Sequence, residues 1–151
     1  MHTPTRLAPN RSMPAGPVIP VLAYDDVLAA AAWLVRCFGF EERLRIGTHR
    51  VQLTIGAGAV VASARPEGAA STGAQGHAVM VRVADVDAHY AHAMASGVEL
   101  GPPPETYPYG ERQYSARDLG GHTWTFSQTV DDVEPAAWGG EWPTRPSDSP
   151  R

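Results

Sequence analysis

Apolar residues recur along this chain with two different periods, and the switches between them mark the elements. From Val27 to Phe38, the positions Val27, Ala30, Ala31, Leu34, Cys37 and Phe38 fall three or four apart, the spacing of one helix face. Asp25-Asp26 offers an N-cap with negative charge at the helix start, and Gly39 supplies the stop. A second helix is expected from the cap at Asp85 to Ser96. Val86, Tyr90, Ala93 and Met94 form its buried face, and Gly97 ends it. Elsewhere the runs are short and apolar, or alternate. Residues 17–24, 40–46, 49–55, 59–64, 77–83 and 98–100 read as strands. Pro20 suits an edge or a bulge better than a central strand. The clearest strand signal is ERQYSARDLGGHTWTF, residues 111–126. In it His122, Trp124 and Phe126 share one face, while Thr123, Thr125 and Ser127 share the other. Gly120-Gly121 predicts a tight hairpin turn. The bulky face requires a core, and the polar face is free to line something wet.

The pattern repeats. Tyr24-Asp25-Asp26-Val27 corresponds to Val83-Ala84-Asp85-Val86, and Gly39-Phe40-Glu41 to Gly97-Val98-Glu99. Capping Asp and stopping Gly stand 13 residues apart in one half and 12 in the other. Each half is strand, helix, three strands, and such duplication constrains the whole chain. The expected organisation is a disordered leader at 1–16, a βαβββ module at 17–65, a Gly-rich linker at 66–76 and a second βαβββ module at 77–128. An irregular tail at 129–151 follows, with a short turn anchored by Trp138. A start at Met13 fits the leader's composition.

Composition narrows the function. The chain has 151 residues and a net charge of −4, with no basic run, which argues against a nucleic-acid partner. No apolar run reaches the length of a membrane span, and MHTPTRLAPNRSMPAG lacks a signal peptide's apolar segment. The lone Cys37 reads as a small apolar helix residue. A cytoplasmic location is the expectation.

The two βαβββ units, with DDV-helix-CFGF-E in the first and VADVDAHY…GV followed by RDLGGHTWTF in the second, resemble the vicinal oxygen chelate superfamily of glyoxalases, bleomycin-resistance proteins and extradiol dioxygenases. The resemblance implies an α+β fold, in which two tandem modules form a curved mixed-sheet cleft with helices outside, and a homodimer. Its chemistry implies a divalent metal held by His, Gln or Glu from four cleft strands. Carried over by position, those ligands fall at Ile19, at Ala78, at Thr125 and at a residue within 59–64, where only Ala, Val and Ser occur. None of these side chains holds Zn²⁺, Fe²⁺ or Mg²⁺ as imidazole or carboxylate does. The expectation is a protein without metal or other cofactor and without a catalytic residue, binding an aromatic or amphipathic small molecule such as an antibiotic. The alternative is a lyase, isomerase or dioxygenase, either metal-dependent or using acid/base chemistry.

Alternation places Ala78, Met80 and Arg82 in the cleft, and Thr123 and Thr125 beside them. Arg82 interrupts an apolar strand, as an anchor for an electron-rich ligand group or as one half of an internal salt bridge. Tyr107, Tyr109 and Tyr114, on or after the Pro-rich loop 101–110, offer flat contact area with one hydroxyl each; packing of the loop on its own domain is the competing reading. Expected ligand contacts are therefore Met80, Arg82, Tyr107, Tyr109, Tyr114, Thr123 and Thr125. Glu111 is the most plausible carboxylate near the cleft. His89 and His92 read as a solvated helix face rather than a metal pair.

Overall fold

The computed structural model describes residue 8 and residues 10–65 and 77–142. The linker expected at 66–76, like residues 1–7 and 143–151, lies outside them.

The first module runs β1 (Val21–Tyr24), α1 (Val27–Phe38), β2 (Glu41–Ile46), β3 (Arg50–Ile55) and β4 (Gly58–Ala64). The second runs β5 (Val79–Arg82), α2 (Val86–Ala95), β6 (Glu99–Leu100), β7 (Glu105–Thr106), β8 (Glu111–Arg117) and β9 (Thr123–Thr129). The 3-10 helix Pro135–Trp138 follows. The first sheet has the order β1-β4-β3-β2, and the second has β5-β9-β8-β6 with β7 added on β8. The duplication in the sequence is therefore a duplication of topology: the first strand of each module pairs in parallel with the last. Val21 faces Val61 in one, and Met80 faces Thr125 in the other. β1 is an edge strand, as Pro20 requires, and the Pro20 carbonyl accepts from Val61 N at 2.9 Å.

The helices start where their caps predict. Asp26 Oδ1 accepts from Ala29 N at 3.1 Å, and Asp85 Oδ1 accepts from Ala88 N at 3.0 Å. The buried residues of α1 are the six that its periodicity selects. On α2 the face is rotated. Val86 and Ala93 are buried, Met94 is 55% exposed, and His89 turns inward instead. At 100° per residue, His89 lies about 60° to one side of Val86 and Met94 about 80° to the other. Ala93 is displaced toward His89, so the face closes on that side.

Both helices cover the same kind of sheet face, and their cores merge. The Phe38 ring meets Trp124 at 5.4 Å and Phe126 at 4.8 Å, and Phe40 meets Trp124 at 5.5 Å. The second sheet leaves its other face open, while residues 10–16 lie over the other face of the first.

The hairpin turn differs from the expected one. The strands end at Arg117 and Thr123, so the connection is Asp118 to His122 rather than Gly120-Gly121 alone. Asp118 Oδ1 accepts from Gly120 N and His122 N, each at 2.9 Å. Asp118 Oδ2 takes the Tyr24 hydroxyl at 2.6 Å and Trp124 Nε1 at 2.9 Å. The buried carboxylate thus ties the first module to the second. Gly120 is obligatory there, because a Cβ would stand 2.8 Å from the Tyr24 ring.

Candidate functional site

The open face of the second sheet carries the candidate site. β5 contributes Met80 and Arg82, β8 contributes Glu111 and Gln113, and β9 contributes Ser127 and Thr129. Alternation sends these side chains to the same side and sends Trp124 and Phe126 to the core. Tyr109, from the Pro-rich loop, and Trp138, from the 3-10 helix, complete a groove of about 530 Å³.

Its polar groups are already knitted together. Arg82 Nη2 donates to Thr129 Oγ1 at 3.0 Å. Ser127 Oγ donates to Glu111 Oε1 at 2.6 Å and accepts from Gln113 Nε2 at 3.0 Å. Tyr109 donates its hydroxyl proton to Gln113 Oε1 at 3.2 Å. Burial raises the pKa of Glu111, but the hydroxyls of Ser127 and Thr129 and the charge of Arg82 together outweigh it and hold the carboxyl below its ordinary range. A carboxylate tuned downward is a weak general base at neutral pH. It is better suited to holding hydroxyls in place.

Of the expected contacts, Met80, Arg82 and Tyr109 line this groove. Tyr107 stacks parallel on Tyr109, with centroids 5.6 Å apart. Thr125 lies opposite Met80 on the same open face and hydrogen-bonds Ser115 Oγ at 2.9 Å. Thr123 lines a separate hollow with Leu100, Ser115 and Arg117. Tyr114 is on the opposite face of β8. It is 3% exposed, stacks on Phe126 at 5.3 Å and contacts His89 Nδ1 through its hydroxyl at 2.6 Å. Tyr114 is thus core rather than groove, and His89 is half-buried rather than solvated. Burial, followed by the neighbouring His92, pulls the pKa of His89 below its ordinary value against a raising backbone contact at Phe38. His92 alone stays on the surface, with Nε2 at 2.9 Å from the Arg36 carbonyl oxygen.

Gln113, Thr129 and Trp138 are groove residues that sequence reasoning did not select. The signal for Gln113 was present, since it alternates in phase with Glu111 on β8.

The pairing register also completes the set of metal-ligand positions that the family resemblance implies. Val21 and Met80 occupy equivalent places, so the partner of Thr125 in the first module is Val61. The four positions therefore hold Ile19, Val61, Ala78 and Thr125. Three alkyl groups and one hydroxyl do not fit a divalent cation. Among the described residues, no cluster of three or more His, Cys, Asp or Glu stands elsewhere to replace them.

Comparison with known proteins agrees with the duplicated fold. The family described as the Glyoxalase/Bleomycin resistance protein/Dioxygenase superfamily matches residues 17–126. No curated protein matches the chain. Among solved structures, TioX from Micromonospora sp. ML1 is 39% identical, with a TM-score of 0.63, over 74% of this chain and 97% of its own. The fosfomycin resistance protein FosX from Listeria monocytogenes shares the fold at 18% identity and TM-score 0.62, over 77% of this chain and 94% of its own. Lactoylglutathione lyase from Agrobacterium tumefaciens shares it at 20% identity and TM-score 0.59, over 76% and 94%. Matched across most of its length and built from two equivalent βαβββ units, the chain belongs to the glyoxalase/bleomycin resistance protein/dioxygenase superfamily.

Proposed function

We propose that this protein binds an amphipathic or aromatic small molecule in the groove of the second module, without a metal, and sequesters it. The observation that carries this reading is the groove itself. Apolar Met80, Tyr109 and Trp138 surround a small set of convergent polar groups, Arg82, Gln113 and Ser127, the ordinary make-up of a small-molecule pocket. The side chains at Ile19, Val61, Ala78 and Thr125 support the metal-free part. FosX is named as a fosfomycin resistance protein, which makes an antibiotic a reasonable class of ligand to try first. A homodimer in the cytoplasm is the expected working form. Exposed Val18 and Val21, just before and at the start of the edge strand β1, supply apolar surface for a partner copy. No helix among the described residues is long and apolar enough to cross a membrane.

The test is a thermal-shift screen of aromatic and peptide antibiotics, run beside metal analysis of the dialysed protein. A bound compound at 100 times its Kd should add about 2.7 kcal/mol of stability. Stoichiometric Zn, Fe, Ni or Mn surviving dialysis would overturn the metal-free reading. A broad panel that shifts nothing would overturn binding. Arg82→Ala should weaken the ligand found by the screen about tenfold and leave the apo melting point nearly unchanged, since Arg82 is exposed.

A further inference from the structure

One wall of the groove comes from chain that the family match does not reach. The match stops at residue 126, and the segment beyond it doubles back on the Pro-rich loop. Val130 N and Asp131 N both donate to the Gly110 carbonyl, at 2.8 and 3.2 Å. Gly110 has φ of 86°, and a Cβ there would collide with the Asp131 carbonyl oxygen. Only glycine lets loop and tail close this seam. The 3-10 helix Pro135–Trp138 follows, closed by Gly140 N donating to Pro135 O at 2.7 Å. It sets Trp138 edge-on against Tyr109, with centroids 5.6 Å apart, while Tyr107 lies within 4° of parallel to the same Tyr109 ring. Trp138 nevertheless remains 42% exposed at the groove, where Met80 is 61% exposed. Three rings fixed against one another and a polarizable thioether form a surface that rewards a flat partner more than a flexible one.

The charges in the groove narrow the ligand further. Arg82 is cationic and Glu111 is anionic, and each is tied to a hydroxyl of β9 in the same groove. A ligand carboxylate would gain Arg82 and meet Glu111. A neutral carbonyl or hydroxyl takes a hydrogen bond from Arg82 or Gln113 without that repulsion.

Deepening the binding reading above, on which this rests, we propose that Trp138, held by the Gly110–Asp131 seam, is the residue that selects the ligand. The ligand selected is an uncharged, planar aromatic group bearing a carbonyl or hydroxyl.

The experiment is a calorimetric titration of the full chain with three probes: neutral acridine-9-carboxamide, anionic acridine-9-carboxylate and flexible decanamide. The proteins are wild type, Trp138→Ala and Gly110→Ala. Wild type should bind the carboxamide at least tenfold more tightly than either other probe. Trp138→Ala should lose tenfold or more on the carboxamide and less than twofold on decanamide. Gly110→Ala should reproduce that pattern without removing a groove side chain. Should Gly110→Ala fail to fold, Trp138→Ala decides alone, its integrity checked by an unchanged melting curve. Unaltered carboxamide affinity in Trp138→Ala, or tighter binding of the carboxylate by wild type, would overturn this inference while leaving the binding reading standing. Wild type that takes none of the three would overturn the selectivity claim and count against the binding reading too.

Discussion

Asp118 shows how much one residue can be asked to do in a fold of this size. Its carboxylate is buried and takes four donors, two from its own turn, one from Trp124 and one from Tyr24 across the module boundary. Full satisfaction is what makes a buried charge tolerable. The partner most affected is Tyr24. Burial first, then the charge of Asp118 and its hydrogen bond, push the Tyr24 phenol far above its ordinary value of 10.0. The folded chain therefore keeps a proton that the unfolded chain releases above about pH 10. By linkage, this contribution to stability is intact below pH 10 and is lost as pH rises past it, by up to about 1.4 kcal/mol per pH unit for one group. Tyr114, raised chiefly by burial and then by Tyr90, adds to the same slope. Urea denaturation between pH 8 and pH 11 should show stability falling above pH 10, and falling less steeply in Tyr24→Phe. An identical slope in the variant would mean that Tyr24 ionises as freely folded as unfolded.

Elements differ in how much of themselves they declare. α1 is apolar over a wide arc, and its spacing alone selects every buried position. α2 is short, rich in Ala and His, and weakly two-faced, so the sequence leaves its orientation to tertiary contacts. Phe126 then draws in His89, with ring centroids 4.1 Å apart, and leaves Met94 outside. Leu34→Ala, in the core, should cost about 2–5 kcal/mol. Met94→Ala should stay within about 0.5 kcal/mol; a loss near that of Leu34 would place Met94 in the core after all. The hairpin teaches a different lesson. A two-residue Gly120-Gly121 turn would set Ser115 opposite Phe126 and turn Tyr114 to the open face. The longer turn built on Asp118 sets Tyr114 opposite Phe126 instead. A one-residue change of register moves every side chain of a strand to the other face. Tyr114 was therefore unreadable until the turn was known, whereas Trp124 and Phe126 were readable from their own strand. β7 was invisible for a simpler reason: two residues in a Pro-rich loop carry no period, and only pairing with β8 makes them a strand.

At the scale of the whole molecule, two modules of one topology have been finished differently, and the difference comes from the chain's ends. The second sheet's open face keeps its groove beneath Trp138. On the first sheet, the leader expected to be mobile is held in place over residues 10–16. Gln52 Nε2 donates to the Ser12 carbonyl at 2.7 Å, Arg43 Nη2 donates to the Arg11 carbonyl at 3.1 Å, and Arg43 also bonds Gln52. Gln52 and its cross-strand partner Val61 point to this face, and both are buried, as is Pro14. No local pattern near residue 12 announces a partner forty positions away, because such contacts are a property of the packed molecule and not of either segment. The cover distinguishes the first face from the second, and its effect can be checked by removing it. Deleting residues 1–16 strips the partner from Gln52 and opens the face around Val61. Binding of an apolar dye such as anilinonaphthalene sulfonate should rise severalfold, and stability should fall by about 1–3 kcal/mol for the polar groups left unmet. Groove binding by the second module should persist, since every lining residue of the groove comes from residues 80–138. Unchanged dye uptake would show the first face to be open with or without its leader, and the asymmetry between the modules would then have to come from their side chains alone.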